Sequence, residues 1–81
     1  MNLYFIYQDE INDYETYNKA VVCAPNEEVA RNIHPTDFDY RGEFVSEYWC
    51  SSADNVKVKL LGEAVAGSKI GVLLASYGTG W

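Results

Sequence analysis

Four stretches of the chain have the hydrophobic patterns of β-strands, and turn-forming residues separate them. They are Leu3–Gln8, Lys19–Ala24, Val56–Leu61 (continued by residues 62–64) and Ile70–Tyr77. In the third stretch apolar and polar residues alternate. Val56, Val58 and Leu60 are therefore expected to face the core. Lys57 and Lys59 are expected to face water. The second stretch is almost continuously apolar, which predicts a central strand, and the fourth is predicted to be interior for the same reason.

The first stretch is aromatic and β-branched, which is typical of a strand. Because successive side chains of a strand point to opposite faces, Leu3, Phe5 and Tyr7 should share one face of the sheet. Tyr4 and Ile6 should then lie on the other face. The polar, acidic stretch of residues 9–18 connects this strand to the next.

Residues 26–34 have the signals of a short helix. Asn26 is a plausible N-cap, and the two glutamates after it suit the positive end of the helix dipole. Pro35 ends the helix at His34, because a proline disfavours helical geometry in the residue before it. Two turns of helix are unstable alone, so this helix must pack on the sheet. Its apolar residues are Val29, Ala30 and Ile33.

The order of elements is β-β-α-β-β, which predicts one α+β domain over residues 1–81 with a flexible tail at 78–81. We expect a four-stranded, largely antiparallel sheet with the short helix packed on one face. Residues 36–52 are interpreted as a loop that contains a short strand or a helical turn. Either the 38–49 segment covers the other face of the sheet, or that face is a contact surface or dimer interface.

The chain is acidic, with 12 acidic and 6 basic side chains among 81 residues and a net charge of −6. Residues 1–40 contain eight of the acids and two of the bases, whereas residues 41–81 contain four of each. This charge argues against direct binding of nucleic acid, which depends on clustered lysine and arginine. It also argues against docking on an anionic membrane.

Few residues could carry catalysis or bind a metal. His34 is the single histidine. Its position before Pro35 favours a role as a partner for the helix C-terminus over a role as a general base. Cys23 and Cys50 do not form a Cys-x₂-Cys pair, and the acids of residues 9–15 lack the glycine of a calcium loop. No glycine-rich phosphate-binding motif is present. We therefore expect no enzyme activity, no metal and no cofactor.

The N-terminus lacks the basic region and long apolar run of a signal peptide, and two cysteines are too few for a disulfide framework. The expected location is the cytoplasm, with both cysteines reduced. Cys23 lies in an apolar strand and is expected to be a small buried side chain.

Aromatic residues lie among the acids in two clusters, and aromatic patches with charged rims are typical anchors of protein interfaces. The alternative is that large rings fill a thin core while each tyrosine keeps its hydroxyl at the surface. The candidate partner-binding residues are Asp9, Glu10, Asp13, Tyr14, Glu15, Tyr17, Asp37, Asp39 and Tyr40.

Three short segments resemble small uncharacterised proteins of bacteriophages and prophages. They are residues 24–31 (Ala-Pro-Asn-Glu-Glu-Val-Ala-Arg), 61–64 (Leu-Gly-Glu-Ala) and 71–77 (Gly-Val-Leu-Leu-Ala-Ser-Tyr), about a quarter of the chain. The resemblance implies a phage accessory protein without known catalytic residues. Small acidic phage proteins include anti-CRISPR and anti-restriction inhibitors, some of which mimic DNA.

These observations favour a non-enzymatic, acidic protein-binding module, a phage-encoded inhibitor that occupies a basic or nucleic-acid-binding surface of a host defence protein. An alternative is a homo-oligomeric structural or assembly protein that associates as a homodimer or larger oligomer through the uncovered sheet face. A third hypothesis is a small-ligand or metal-binding protein or a minor enzyme.

Overall fold

A computed structural model describes residues 1–10, 16–37, 40 and 42–77 of the chain, except the side chains of residues 76 and 77. The strands are β1 (Asn2–Tyr7), β2 (Tyr17–Ala24), β3 (Lys57–Glu63) and β4 (Gly71–Tyr77). One helix, α1 (Glu27–Asn32), follows β2, and a single turn of 3-10 helix (Ala53–Asn55) precedes β3. The predicted α+β class and the β-β-α-β-β order are confirmed.

The four strands form one antiparallel sheet in the order β3-β1-β2-β4. The prediction of a central position for Lys19–Ala24 is confirmed, because β2 lies between β1 and β4. The prediction that Ile70–Tyr77 is interior is wrong, because β4 is an edge strand. The apolar residues of β4 fall into two groups that differ in exposure. Val72 and Ala75 face the core, whereas Leu73 and Leu74 are 58% and 55% exposed.

Asp37 and Tyr40 bond to the backbone at the start of β4 on the side away from β2. The backbone N–H of Val72 donates to the carbonyl of Asp37 (2.9 Å), and the N–H of Tyr40 donates to the carbonyl of Ile70 (3.4 Å). These bonds satisfy backbone groups at the start of an edge strand, which would otherwise be left without a neighbour on that side. They also fix the position of Asp37 relative to the sheet.

One face of the sheet holds the core. Tyr4 and Ile6 of β1 and Ala20 and Val22 of β2 are buried there, whereas Leu3, Phe5 and Tyr7 lie on the other face, as the alternation predicts. The expectation for β3 is partly wrong. Val56 is buried and Val58 packs against the core, but Leu60 is 59% exposed. Leu60 pairs with Tyr4 and shares its face, yet it lies on an edge strand and has no neighbouring strand on its outer flank.

The helix begins as predicted. The side chain of Asn26 accepts a hydrogen bond from the N–H of Val29 (2.9 Å), which satisfies one of the free donors of the first turn. Ala30 and Ile33 are fully buried, and Val29 is half-buried against the core. The helix ends one to two residues earlier than expected, at Asn32, because Ile33 has an extended backbone. His34 therefore lies beyond the helix rather than in its last turn.

The described part of residues 36–52 packs on the same side of the sheet as α1. Trp49 and Cys50 are fully buried in the core with Ile33, and Phe44 and Tyr40 pack against its margin. The suggestion that this segment covers the opposite face is therefore wrong for its described residues. No helix in the described ranges of the chain is long and apolar enough to cross a membrane.

Candidate functional site

Five of the nine candidate partner-binding residues lie in the described part of the chain: Asp9, Glu10, Tyr17, Asp37 and Tyr40. The other four, Asp13, Tyr14, Glu15 and Asp39, lie outside it, as does the predicted tail at residues 78–81. The structure does not bring the described five together in one cluster of hydrogen bonds. Asp9 and Glu10 follow β1, Tyr17 and Tyr40 pack against the core, and Asp37 bonds to His34 and Val72.

Glu10 bridges two distant parts of the chain. Its carboxylate accepts hydrogen bonds from the backbone N–H of Ser51 (2.9 Å), the hydroxyl of Ser51 (2.8 Å) and the side-chain amide of Asn55 (2.8 Å). These donors, the Ser51 backbone first, hold the pKa of Glu10 below its usual 4.5. The carboxylate is therefore charged at neutral pH and locks the end of β1 to the 3-10 turn.

This bridge brings the turn that contains a third exposed acid, Asp54, to Asp9 and Glu10. Asp54 lies in the 3-10 turn beside Asn55, and Asp9 precedes Glu10, and all three acids are exposed. We call Asp9, Glu10 and Asp54 the acidic corner. Sequence reasoning missed Asp54, because it belongs to the electrically neutral half of the chain. The Ser52 N-cap before it was the available local signal, since it identifies an exposed turn.

Tyr17 and Asp37 have clear roles in the fold. The N–H of Tyr17 donates to the carbonyl of Tyr48 (2.8 Å), and its ring meets the His34 ring edge-on at 6.0 Å. The Asp37 carboxylate accepts from the N–H of His34 (2.9 Å), and the N–H of Asp37 donates to the His34 carbonyl (2.8 Å). These contacts close a tight turn around Pro35 and fix the chain after the helix.

Tyr40 is half-buried against the core. Burial raises the pKa of its hydroxyl, and the nearby negative charge of Asp37 raises it further. The phenol is consequently neutral at physiological pH. Tyr17, Asp37 and Tyr40 thus stabilise the loop on the sheet, and their role in a partner interface stays a prediction.

His34 is buried, and both of its ring nitrogens have partners within the protein. Nδ1 accepts from the N–H of Thr36 (3.0 Å), and the Thr36 hydroxyl oxygen lies 2.8 Å from the same nitrogen. Nε2 contacts the carbonyl oxygen of Glu47, which can only accept, so Nε2 carries the proton. His34 therefore ties two parts of the loop together.

The cysteines and potential metal ligands offer little for chemistry. Cys23 and Cys50 are both free and buried, and burial raises the pKa of the Cys50 thiol. Within the described ranges no group of three or more histidine, cysteine, aspartate or glutamate side chains could hold a metal ion.

The face of the sheet opposite α1 is the second notable surface. The strand register puts Phe5, Val21, Leu74 and Lys59 in one row, since directly paired residues of antiparallel strands share a face. On one side of this row lies a second row, formed by Tyr7, Lys19 and Lys57. On its other side lies Leu3, which pairs with Cys23. The rings of Phe5 and Tyr7 stack with centroids 5.2 Å apart. We call this surface the far face; its residues are Leu3, Phe5, Tyr7, Lys19, Val21, Cys23, Lys57, Lys59 and Leu74. Cys23 is fully buried, and the residues of β1 and β2 beside it on this face are half-buried.

The formal charges that the described strands place on the far face are all positive. Glu63, the one acid within the strands, pairs with Asn2 and so shares the face of Tyr4, the core side. The alternation in β3 predicts that Lys57 and Lys59 face water, but it does not predict that they share a face with Phe5 and Tyr7 of β1. The register between two strands about fifty residues apart decides this, and no local pattern shows it.

The comparisons with known proteins do not identify the chain: no family model, curated protein or solved structure matches it.

Proposed function

We propose that this chain is a non-enzymatic binding module that uses acidic residues to occupy a basic surface of another protein. The observation that carries the proposal is the acidic corner of Asp9, Glu10 and Asp54. Glu10 is kept ionised by Ser51 and Asn55, so the corner presents fixed negative charge on exposed side chains. Fixed carboxylates on a folded surface can take the places of nucleic-acid phosphates in a basic groove.

The potentially reactive side chains support a binding role rather than catalysis. Both nitrogens of His34 are occupied by loop groups, and the two thiols are buried. A general base needs a lone pair within reach of a substrate, and a nucleophile needs access to one. The fold uses these groups to hold the loop and fill the interior.

The expected partner is a host protein with a basic or nucleic-acid-binding surface, and the expected origin is a phage that must inhibit a host defence protein. The overall acidity supports the first point, since complementary charge steers association and excludes acidic partners. The second point depends on the resemblance to phage accessory proteins.

A pull-down from bacterial host lysate tests the proposal, with the bound proteins identified by mass spectrometry at low and high salt. We expect partners retained at low salt to be lost at high salt, because screening weakens exposed charge pairs. The variant Asp9→Lys/Asp54→Lys should lose them. The matched control Glu28→Lys/Glu63→Lys changes the net charge equally at exposed sites outside the corner and should keep them. Equal retention by the two variants contradicts the proposal.

A further inference from the structure

One edge of the sheet is free to pair with another strand. At the β4 edge, Asp37 and Tyr40 bond to the backbone, but no hydrogen bond among the described residues reaches the outer side of β3. Five of the seven residues of Lys57–Glu63 are exposed, and the other two are half-buried. An exposed edge strand presents unpaired N–H and C=O groups, to which an extended segment of another protein can bond.

The part of β3 from residue 57 to residue 60 is regular and pairs one-to-one with β1. Leu61 is the extra residue of a bulge, because its neighbours Leu60 and Gly62 pair with consecutive residues of β1. A bulge bends the strand and interrupts the ladder, so an added strand would pair with residues 57–60. We call these four residues the free edge.

The free edge has a different chemistry on each side of the sheet. Lys57 and Lys59 lie on the far face, where both are exposed and neither forms an ion pair within the described part of the chain. Val58 and Leu60 lie on the core side, where Val58 packs against the core and Leu60 is 59% exposed. A complementary strand therefore offers acids to the far face and apolar side chains to the core side.

A second copy of this chain does not meet that requirement. When two free edges pair antiparallel, the two-fold axes with the greatest overlap lie at residue 58 or at residue 59. The first arrangement puts Lys57 opposite Lys59, and the second puts Lys59 opposite its own copy. Like charges directly opposite each other on paired strands are destabilising. The lysines therefore protect the edge against self-association and favour a segment of opposite charge.

We propose that the free edge binds an extended, acidic segment of another protein as an added strand of the sheet. The segment pairs antiparallel, as all the strands of this sheet do, and apolar residues alternate in it with glutamate or aspartate. Its acids lie opposite Lys57 and Lys59, and its apolar residues lie opposite Val58 and Leu60. Backbone hydrogen bonds give the affinity, and the alternation of side chains gives the specificity. The free edge shares no residue with the acidic corner, and this inference goes beyond the proposed function.

Three model peptides of about eight residues test the pairing, in which valine alternates with glutamate, threonine or lysine. Each is titrated to about 2 mM into the ¹⁵N-labelled native chain, because short extended peptides bind weakly. The glutamate peptide should shift the amide signals of residues 57–60 and bind at least about threefold tighter than the threonine peptide. The lysine peptide should not bind. A glutamate peptide with methylated backbone nitrogens keeps the charges but cannot donate hydrogen bonds, so it should leave the signals unchanged.

Two leucines on edge strands provide matched variants of the protein. Leu60 on the free edge is 59% exposed, and Leu73 on β4 is 58% exposed. Leu60→Ser should weaken binding of the glutamate peptide at least about threefold, whereas Leu73→Ser should change it by less than about twofold. The double variant Lys57→Gln/Lys59→Gln should abolish the preference for glutamate over threonine. Circular dichroism verifies that the variants are folded.

The proposal is overturned if the glutamate peptide leaves the signals of residues 57–60 unchanged, if the methylated peptide binds equally well, or if the two leucine variants have the same effect. A preference for the lysine peptide overturns the assigned chemistry, because it would show that the acidic corner governs binding at this edge. The pull-down is decided by Asp9 and Asp54, whereas this titration is decided by the free edge, so each experiment can fail while the other succeeds.

Discussion

Substitution of Trp49 tests whether the described part of residues 36–52 belongs to the hydrophobic core. Among the residues that the structure describes it is the largest fully buried side chain, and the described residues next to it form turns rather than a helix or strand. Its ring contributes to the core beneath α1, together with Ile33 and Cys50. If this packing is right, the loop is part of the hydrophobic core, and truncation of Trp49 should destabilise the whole domain rather than loosen one loop.

The size of the effect follows from burial. A fully buried aromatic side chain removes about 150–250 Å² from water, and truncation of a buried tryptophan to alanine costs about 3–5 kcal/mol. A domain of this length has a free energy of unfolding of roughly 4–12 kcal/mol. We therefore expect Trp49→Ala to remove about a quarter or more of the stability and to lower the melting temperature by more than about 12 °C.

The indole nitrogen refines the prediction. Trp49 Nε1 is buried and makes no hydrogen bond with the residues that the structure describes. Replacement by phenylalanine therefore loses ring volume without leaving a broken pair, and it removes a donor that is costly to bury. Trp49→Phe should cost less than half of what Trp49→Ala costs.

Urea unfolding followed by far-ultraviolet circular dichroism measures both variants, with the dependence on urea expected to stay constant. A loss of less than about 1 kcal/mol for Trp49→Ala would refute the reasoning, because that value is typical of a surface position. A cost of Trp49→Phe equal to that of Trp49→Ala would refute the argument about the indole nitrogen.

Three further predictions concern single contacts. Glu10→Gln should destabilise the protein at pH 7, and the difference from the native chain in urea unfolding should shrink as the pH falls below about 4.5. The reason is that a lowered pKa contributes stability above the usual value and loses it as the folded carboxylate is protonated. Cys50 should react with iodoacetamide far more slowly than glutathione at pH 8, because burial shields the thiol and raises its pKa; equal rates would contradict its burial. Asn26→Ala should cost about 1 kcal/mol in thermal unfolding, whereas Asn26→Ser should restore most of it; an unchanged Asn26→Ala would show that the cap to Val29 contributes nothing.

Local patterns predicted the elements well. The Asn26 cap, the apolar residues of α1 and the alternation in β1 each act within a few residues, and each is confirmed. The Ser52 cap is of the same short-range kind, because serine, aspartate and asparagine in residues 51–55 are turn-forming types. Such signals depend on short-range geometry, which sequence spacing specifies directly.

The errors arose where a side chain's surroundings depend on distant strands. Leu60 alternates like a core residue, but the β3-β1 pairing places it at the margin of the sheet. The continuous apolar sequence of β4 is typical of an interior strand, because its core-facing residues and its exposed leucines are equally apolar. The β1–β3 and β2–β4 pairings and the bridge from Glu10 to Ser51 join residues about forty or more apart, and periodicity carries no information about such contacts.

The central position of β1 has a consequence for how the chain folds. β1 and β2 are close in sequence and can pair early, but β3 must then travel back to join β1 after roughly fifty intervening residues. Sheets whose paired strands are distant in sequence fold slowly, because the entropy of the long loop is lost before the contacts between the strands form and compensate for that loss. On the ribosome, the first hairpin has two unpaired edges until β3 and β4 have been made. That interval is the stage at which the nascent chain is most exposed to aggregation.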